Sequence, residues 1–312
     1  MIATSPQARP AEAPTEPPPG PSPHRSADGA APYGRPVAEP WREVGDQVLV
    51  RRHASFDLNV GLVVGDGACL VVDTRCSLAE GRDLAAAVRR VTAAPWTVVA
   101  THAHFDHCFG TGAFVPTEVW AQERCAEAIE QRGEADRERV AKLYDRDDQP
   151  DVAEQIRQSP LVVPDRRVGQ RQVLDVGGRR VELRHVGRGH TDHDLVVVVP
   201  DAGVLLAGDL VEEGAPPQFR DAHPLDWPGT LDALLAATPA ATVVPGHGDV
   251  VDRAFVTAQR DVLQRLADLA TSGHADGRPA EDVAAELPEL GAFALEAVHR
   301  TYAQRDAAPT DP

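Results

Sequence analysis

Basic charge is what this sequence most lacks. Its 312 residues carry 48 acidic side chains against 31 basic ones, a formal net charge of -17, and only one of the basic residues, Lys142, is a lysine. A polyanionic nucleic-acid backbone would meet net repulsion, and no basic stripe of useful length offsets it, so no nucleic-acid partner is expected. Long apolar runs are missing too. None exceeds five residues, the length of 195–199, which falls far short of the ~20 residues that a membrane-spanning helix needs, so no membrane partner is expected either. Cysteine is scarce and unsuited to stapling: Cys69, Cys76, Cys108 and Cys125 form no CxxC pair, and a chain this long can bury a core without disulfides. Free thiols are expected. Large apolar residues are nearly absent from the first 40 positions, which hold 11 of the 27 prolines. Residues 1–38 therefore read as a disordered tail, too polar to offset its own ordering entropy. The first 20 residues also lack the run of ~7–15 apolar residues that marks a secretory signal, so the expected location is cytoplasmic.

Beyond the tail, apolar stretches alternate with turn signals. Residues 47–52, 58–64, 68–73 and 96–100 read as strands, the later ones buried on both faces because Val and Leu run consecutively. Leu84, Val88 and Val91 recur three and four apart, which predicts an amphipathic helix over 78–91. Residues 118–159, rich in Glu, Arg, Asp and Gln, predict exposed helices and a connector. A second strand-rich block follows at 171–176, 181–186, 195–199 and 204–207, then a helix over 227–237 and a short strand at 242–244. Helical patterns at 253–271, 279–286 and 293–304 close the chain. Two strand-rich halves, each followed by helices, predict an α/β fold of two sheets packed face to face with helices outside. The expected organisation is a tail at 1–38, a main domain at 39–252 and a helical extension packed on it at 253–312.

The densest chemical signal is Thr101-His102-Ala103-His104-Phe105-Asp106-His107, placed where the buried strand at 96–100 ends. Three imidazoles and a carboxylate in one loop can converge on metal ions, and without a ligand their desolvation beside an apolar strand would be costly. His190 lies between two strands, His247 just after a third, and Asp209 directly after a fourth. All seven are ligand-type side chains at strand ends, where loops gather in sheet proteins.

The series HxHxDH at 102–107, GHT at 189–191, GD at 208–209 and PGHG at 245–248 resembles the metallo-β-lactamase fold superfamily of metallohydrolases, over roughly residues 45–250. That resemblance implies a four-layer αββα sandwich of two mixed β-sheets with outer helices. It also implies a first metal on His102, His104 and His190, a second on Asp106, His107 and His247, and Asp209 bridging them. Imidazole and carboxylate donors without cysteine suit zinc first, here two ions per chain, with Fe or Mn possible. A metal-bound water titrates near ~7 rather than ~15.7, so the expected reaction is hydrolysis by a bridging hydroxide of a small ester, thioester, lactone or related molecule. Asp106 is the expected catalytic residue, binding metal and taking a proton from the water. Asp73 resembles the family's buried aspartate beside the metals, and Asp194 is a similar candidate for a supporting role.

His193 stands where relatives reading GHTxGD have glycine, and it either reaches the substrate pocket or faces solvent. Cys108 reads as a small buried residue rather than a ligand. His24, His53, His185, His223, His274 and His299 are given no role. Zinc β-lactamases of this fold generally place Cys or Ser where Asp209 stands, so the name of the fold does not name the activity. Glyoxalase II relatives bind glutathione through basic C-terminal residues, whereas residues 261–312 here hold ten acids and four arginines. A mononuclear iron enzyme similar to persulfide dioxygenases is the alternative with different chemistry, and a non-catalytic metal-binding scaffold is the least favoured reading.

Overall fold

The computed structural model describes residues 40–307; the expected tail at 1–38 and residues 308–312 lie outside the described residues. Strands β1 (Arg42–Gly45), β2 (Val48–His53), β3 (Leu58–Val64) and β4 (Cys69–Val72) form an antiparallel meander. Helix α1 (Leu78–Val91) then crosses to β5 (Trp96–Val99), parallel to β4. The one-turn helix α2 (Phe105–Cys108) leads to β6 (Val119–Gln122), and α3 (Glu123–Arg146) and α4 (Pro150–Arg157) connect it to β7 (Arg166–Val168). Four strands follow, β8 (Arg171–Val176), β9 (Arg179–Arg184), β10 (Val196–Val199) and β11 (Val204–Glu212), all antiparallel neighbours. Helix α5 (Trp227–Ala237) crosses to β12 (Thr242–His247), parallel to β11, and α6 (Arg253–Ala275), α7 (Ala280–Ala284) and α8 (Ala294–Asp306) end the described chain.

Strands β1 to β7 make one mixed sheet and β8 to β12 the other. A single register pair, Leu58 with His247, joins β3 to β12, so the hydrogen-bonded ladder continues from one sheet into the next. Side-chain alternation explains the layering. Leu70 and Val72 of β4 share one cluster with Val197 and Val199 of β10 and Leu206 of β11, between the sheets. The intervening Cys69 and Val71 pack instead with Leu84 and Val88 of α1. On the far side Val196, Val198 and Leu205 pack against Leu231 and Leu234 of α5 and Leu263 and Leu266 of α6. A strand with period 2 and apolar residues at every position can serve two cores at once, and the result is the helix, sheet, sheet, helix order.

Strands β1, β6 and β7 are unforeseen; each is three or four residues long, too short for alternation to show. Residues 118–159 are less exposed than their composition predicts. Cys125, Ala126, Ala128, Ile129, Gly133, Val140, Ala141 and Tyr144 of α3 are buried, a helical stripe in which five of the eight residues are small. Among the described residues no helix is long and apolar enough to cross a membrane.

Strand direction decides where the site lies. Because β4 and β5 are parallel, their C-terminal ends share an edge, and β3, antiparallel to β4, starts there. Strand β12 ends at the start of β3, β11 runs parallel to β12, and β10, antiparallel to β11, begins at the same edge. Residues 73–74, 101–108, 189–194, 209 and 247 therefore meet.

Candidate metal centre

The residues that meet fall into two groups, His102, His104, His190 and Asp209 in one and Asp106, His107 and His247 in the other, each with its donor atoms within 4.8 Å of one another. Asp209 touches both. Its Oδ2 lies 3.4 Å from His190 Nε2, 3.6 Å from His102 Nε2 and 3.2 Å from His247 Nε2, and its Oδ1 lies 3.2 Å from His107 Nε2. Asp106 Oδ2 stands 3.7 Å from His107 Nε2 and 3.6 Å from His247 Nε2. All seven expected ligands are brought together. Asp209 lies within β11 rather than after it, because the strand continues beyond Gly208 through a shift in register.

Four of the five histidines are held by the ring nitrogen that faces away from the centre. Thr101 Oγ1 lies 3.0 Å from His102 Nδ1 and itself donates to Asp73 Oδ2 at 2.9 Å. His104 Nε2 donates to the carboxylate of Asp221 (3.0 and 3.1 Å), His107 Nδ1 to Asp73 Oδ2 (2.8 Å) and His247 Nδ1 to the Phe56 carbonyl (2.7 Å). His190 Nδ1, 3.4 Å from the buried Glu212, makes no hydrogen bond. For the other four, acceptors outside assign the ring proton to the outer nitrogen and aim the inner lone pair at the centre. Three inner atoms, His102 Nε2, His107 Nε2 and Asp209 Oδ1, are buried without a hydrogen bond, and His104 Nδ1 meets His190 Nε2 at 2.9 Å. Lone pairs aimed at one another in a buried site are unfavourable unless a cation sits among them, so this donor set fits divalent metal.

Electrostatics point the same way. Burial would raise the Asp209 carboxyl, but His107, His247 and His102 hold it well below the usual range. Burial would lower the imidazoles, but Asp209 with its neighbours lifts His107 well above 6.5, His190 to about 9 and His247 to about 10. His102 goes the other way, lowered by burial and by the charge of His107. Without a cation the carboxylates recruit protons onto the imidazoles; metal must displace them.

Both expected supporting aspartates have definite partners. Asp73, at the left-handed φ of 67°, accepts from Thr101 N (2.8 Å) as well as from Thr101 Oγ1 and His107. Asp194 accepts from Thr191 N (2.9 Å) and Thr191 Oγ1 (2.7 Å), bracing the turn that carries His190, and burial raises its carboxyl. Asp73→Ala is expected to weaken metal binding by ~10–100-fold, because it frees two segments that carry candidate ligands at once. Competition with a chromophoric chelator measures this, and wild-type affinity would show that Asp73 is dispensable.

His193 takes neither expected place. It is buried, accepts from Ala103 N at Nε2 (3.2 Å) and pairs through Nδ1 with Asp192 (2.6 Å), so it pins the peptide between His102 and His104. Cys108 belongs to neither ligand group; its thiol contacts the Ala103 carbonyl and burial holds it well above the ordinary thiol range. Thr101, Glu212 and Asp221 are site residues that sequence reasoning missed. Glu212 left one trace, a carboxylate three residues beyond Asp209 in an apolar stretch, whereas Asp221 left none.

Residues 56–247 match the family model for the metallo-beta-lactamase superfamily. The metallo-beta-lactamase type 2 of Bacillus cereus is 32% identical over 95 residues, 29% of this chain and 37% of that protein, so the match spans well under half of the curated relative. A metallo-beta-lactamase structure from Pontibacter korlensis superposes with a TM-score of 0.59 at 20% identity, covering 73% of this chain and 99% of that one. The inverting sec-alkylsulfatase Pisa1 from Pseudomonas sp. superposes with a TM-score of 0.69 at 18% identity, covering 88% of this chain and 52% of that one. Both likenesses concern the fold.

Proposed function

Since this chain belongs to the metallo-beta-lactamase superfamily, we propose that it is a dinuclear zinc hydrolase acting on a small ester, thioester, lactone or related molecule. The observation that carries this reading is the set of five imidazoles converging on Asp106 and Asp209, four of them tied by their outer nitrogens. His102, His104 and His190 would hold one ion, Asp106, His107 and His247 the other, and Asp209, in reach of both sets, would bridge. Two zinc ions bound there would supply a water acidified to near ~7 and a Lewis acid for the scissile group.

The protein's own groups do the rest. His102, His107 and His190 are at most 2% exposed and close the back of the site, while the side chains of His104 and His247, each 17% exposed, mark its open side. Asp106, at 10% side-chain exposure, is the more accessible of the two central carboxylates and the one placed to accept a proton from water and return it to the leaving group. Phe56, whose carbonyl holds His247, and Phe105, next in the chain to Asp106, pack their rings edge to face at 5.3 Å. The acidic chain favours a small-molecule substrate over nucleic acid, in a cytoplasmic setting.

Metal analysis and a hydrolase panel of esters, thioesters, lactones and a β-lactam, with and without chelator, test the proposal. About two zinc ions per chain and chelator-sensitive hydrolysis are expected. Iron alone, with oxygen uptake on a glutathione persulfide, would replace it with the oxygenase reading, and absence of metal would overturn both.

A further inference from the structure

The 219–226 segment carries Asp221, which among the described residues is the sole hydrogen-bonding anchor of His104 on its outer side, yet the segment belongs to neither a helix nor a strand. Its position is set from two sides. On one, His223 N donates to the Gly189 carbonyl (2.7 Å), Arg188 pairs with Asp226 (2.8 Å) and Thr230 Oγ1 donates to the Arg188 carbonyl (2.6 Å), so the segment is stitched to the turn that carries His190. On the other stands α8, the last described helix. Arg300 Nε donates to the Ala222 carbonyl (2.7 Å), and the Gln304 amide accepts from Leu225 N (3.1 Å) and donates to Asp226 Oδ2 (2.7 Å).

We propose that Arg300 and Gln304 are positioning residues of the metal centre, acting through the 219–226 segment to hold Asp221 on His104 and to fix that segment against the turn bearing His190. The inference rests on the metallohydrolase reading and extends it to the C-terminal helices, residues outside the span that matches the family model. Helix α8 is suited to this task because its anchoring does not depend on the two residues. Ala294, Ala297 and Val298 are buried against the core shared with α6 and α7, so the helix is a rigid bar from which Arg300 and Gln304 reach outward. A segment without regular hydrogen bonding has many accessible conformations. Three bonds from a rigid element select one of them, and the orientation of His104 follows.

The experiment compares full-length Arg300→Ala, Arg300→Lys and Gln304→Ala with wild type and with Arg265→Ala. Arg265 ties α6 to Glu289 and to the Glu286 carbonyl, within the C-terminal helices and away from the 219–226 segment, so it controls for general loosening of that layer. The readouts are zinc affinity by chelator competition, the ligand-field spectrum of the cobalt-substituted protein and melting of the metal-free form. Arg300→Ala is expected to weaken zinc binding by ~3–10-fold, below the ~10–100-fold of a residue that touches a ligand directly, and to alter the cobalt spectrum. Arg300→Lys, keeping a donor, recovers most of the loss, and Arg265→Ala leaves affinity and spectrum unchanged. In an Asp221→Asn background Arg300→Ala adds nothing, because both act through the same contact. Wild-type affinity in Arg300→Ala, or an undiminished loss in the Asp221→Asn background, overturns the inference. Should Arg300→Ala fail to fold, Gln304→Ala is held to the same readouts. A wild-type chain that takes up no metal in the same titration overturns the metallohydrolase reading and this inference with it.

Discussion

A single methyl group added at position 246 is expected to disable the metal centre. A Cβ built on Gly246 would lie 1.8 Å from Asp209 Oδ1 and 3.0 Å from the Gly208 backbone, well inside van der Waals contact. Neither strand can give way. Pro245 pairs with Gly208 and His247 with Glu212 in the parallel ladder, and both strands are buried between the sheets and the helices. The side chain of Asp209 must swing out instead. Asp209 is the carboxylate nearest to His102, His107, His190 and His247 together, so its departure separates the two ligand groups. Losing a ligand should exceed the ~10–100-fold effect of losing a ligand's support. Gly246→Ala is therefore expected to lower zinc affinity and kcat/KM by at least ~10²-fold, or ~2.7 kcal/mol of transition-state stabilisation. Equilibrium dialysis against zinc and steady-state kinetics check it, with Asp209→Ala as the reference. Full zinc content in Gly246→Ala would show that the strands separate more readily than their burial allows.

The second large effect is linkage between protons, metal and stability. In the metal-free protein His190 and His247 titrate at about 9 and about 10, above their ordinary 6.5. Their protonated forms pair with Asp209, so this contribution to stability is fully present below pH 6.5 and is lost as pH rises through 9 and 10. A metal bound as proposed would have to expel the same protons, and zinc affinity is therefore expected to rise with pH over that window. Chelation at pH 8, starting from zinc at ~1,000 times its Kd, removes ~4 kcal/mol of binding stabilisation. For a domain of this size that lowers Tm by on the order of 10 °C. The gap between loaded and chelated protein should widen from pH 6 to pH 9. Zinc added to metal-free protein at pH 8 should release about two protons per chain from these two residues alone. Calorimetric melting across pH and a weakly buffered zinc titration provide the measurements. A gap that narrows as pH rises would contradict the ion-paired state of the metal-free site. The negative charge of the chain is thus not left bare when metal is absent: protons take part of the place of the cations.

Much of the architecture could be read before any coordinates. The amphipathic helix at Leu78–Val91 and the apolar helix at Trp227–Ala237 have the boundaries that their patterns predict, and the double-sided strands give the layers. The polar stretch at 118–159 resisted reading because α3 buries a stripe of Ala and Cys, whose small side chains leave little hydrophobic contrast between helix faces. Histidine 193 resisted for a different reason. Its neighbours along the chain do not reveal that its ring will meet the Ala103 amide, 90 residues away.

The ligands and their supports divide along the same line. A candidate ligand is defined by chemical type and by its place near a strand end, both local properties, so the candidates His102, His104, Asp106, His107, His190, Asp209 and His247 can be picked out from the sequence by itself, and the fold brings them together. The residues that aim those ligands are defined by where the chain returns. Asp221 reaches His104 across 117 positions, Phe56 reaches His247 across 191, and Arg300 reaches Ala222 across 78. Any short carboxylate, carbonyl or guanidinium could serve, and composition does not distinguish the one that does. Only packing of the two sheets and their helices, which brings distant backbone segments within hydrogen-bonding reach and shuts water out, selects them.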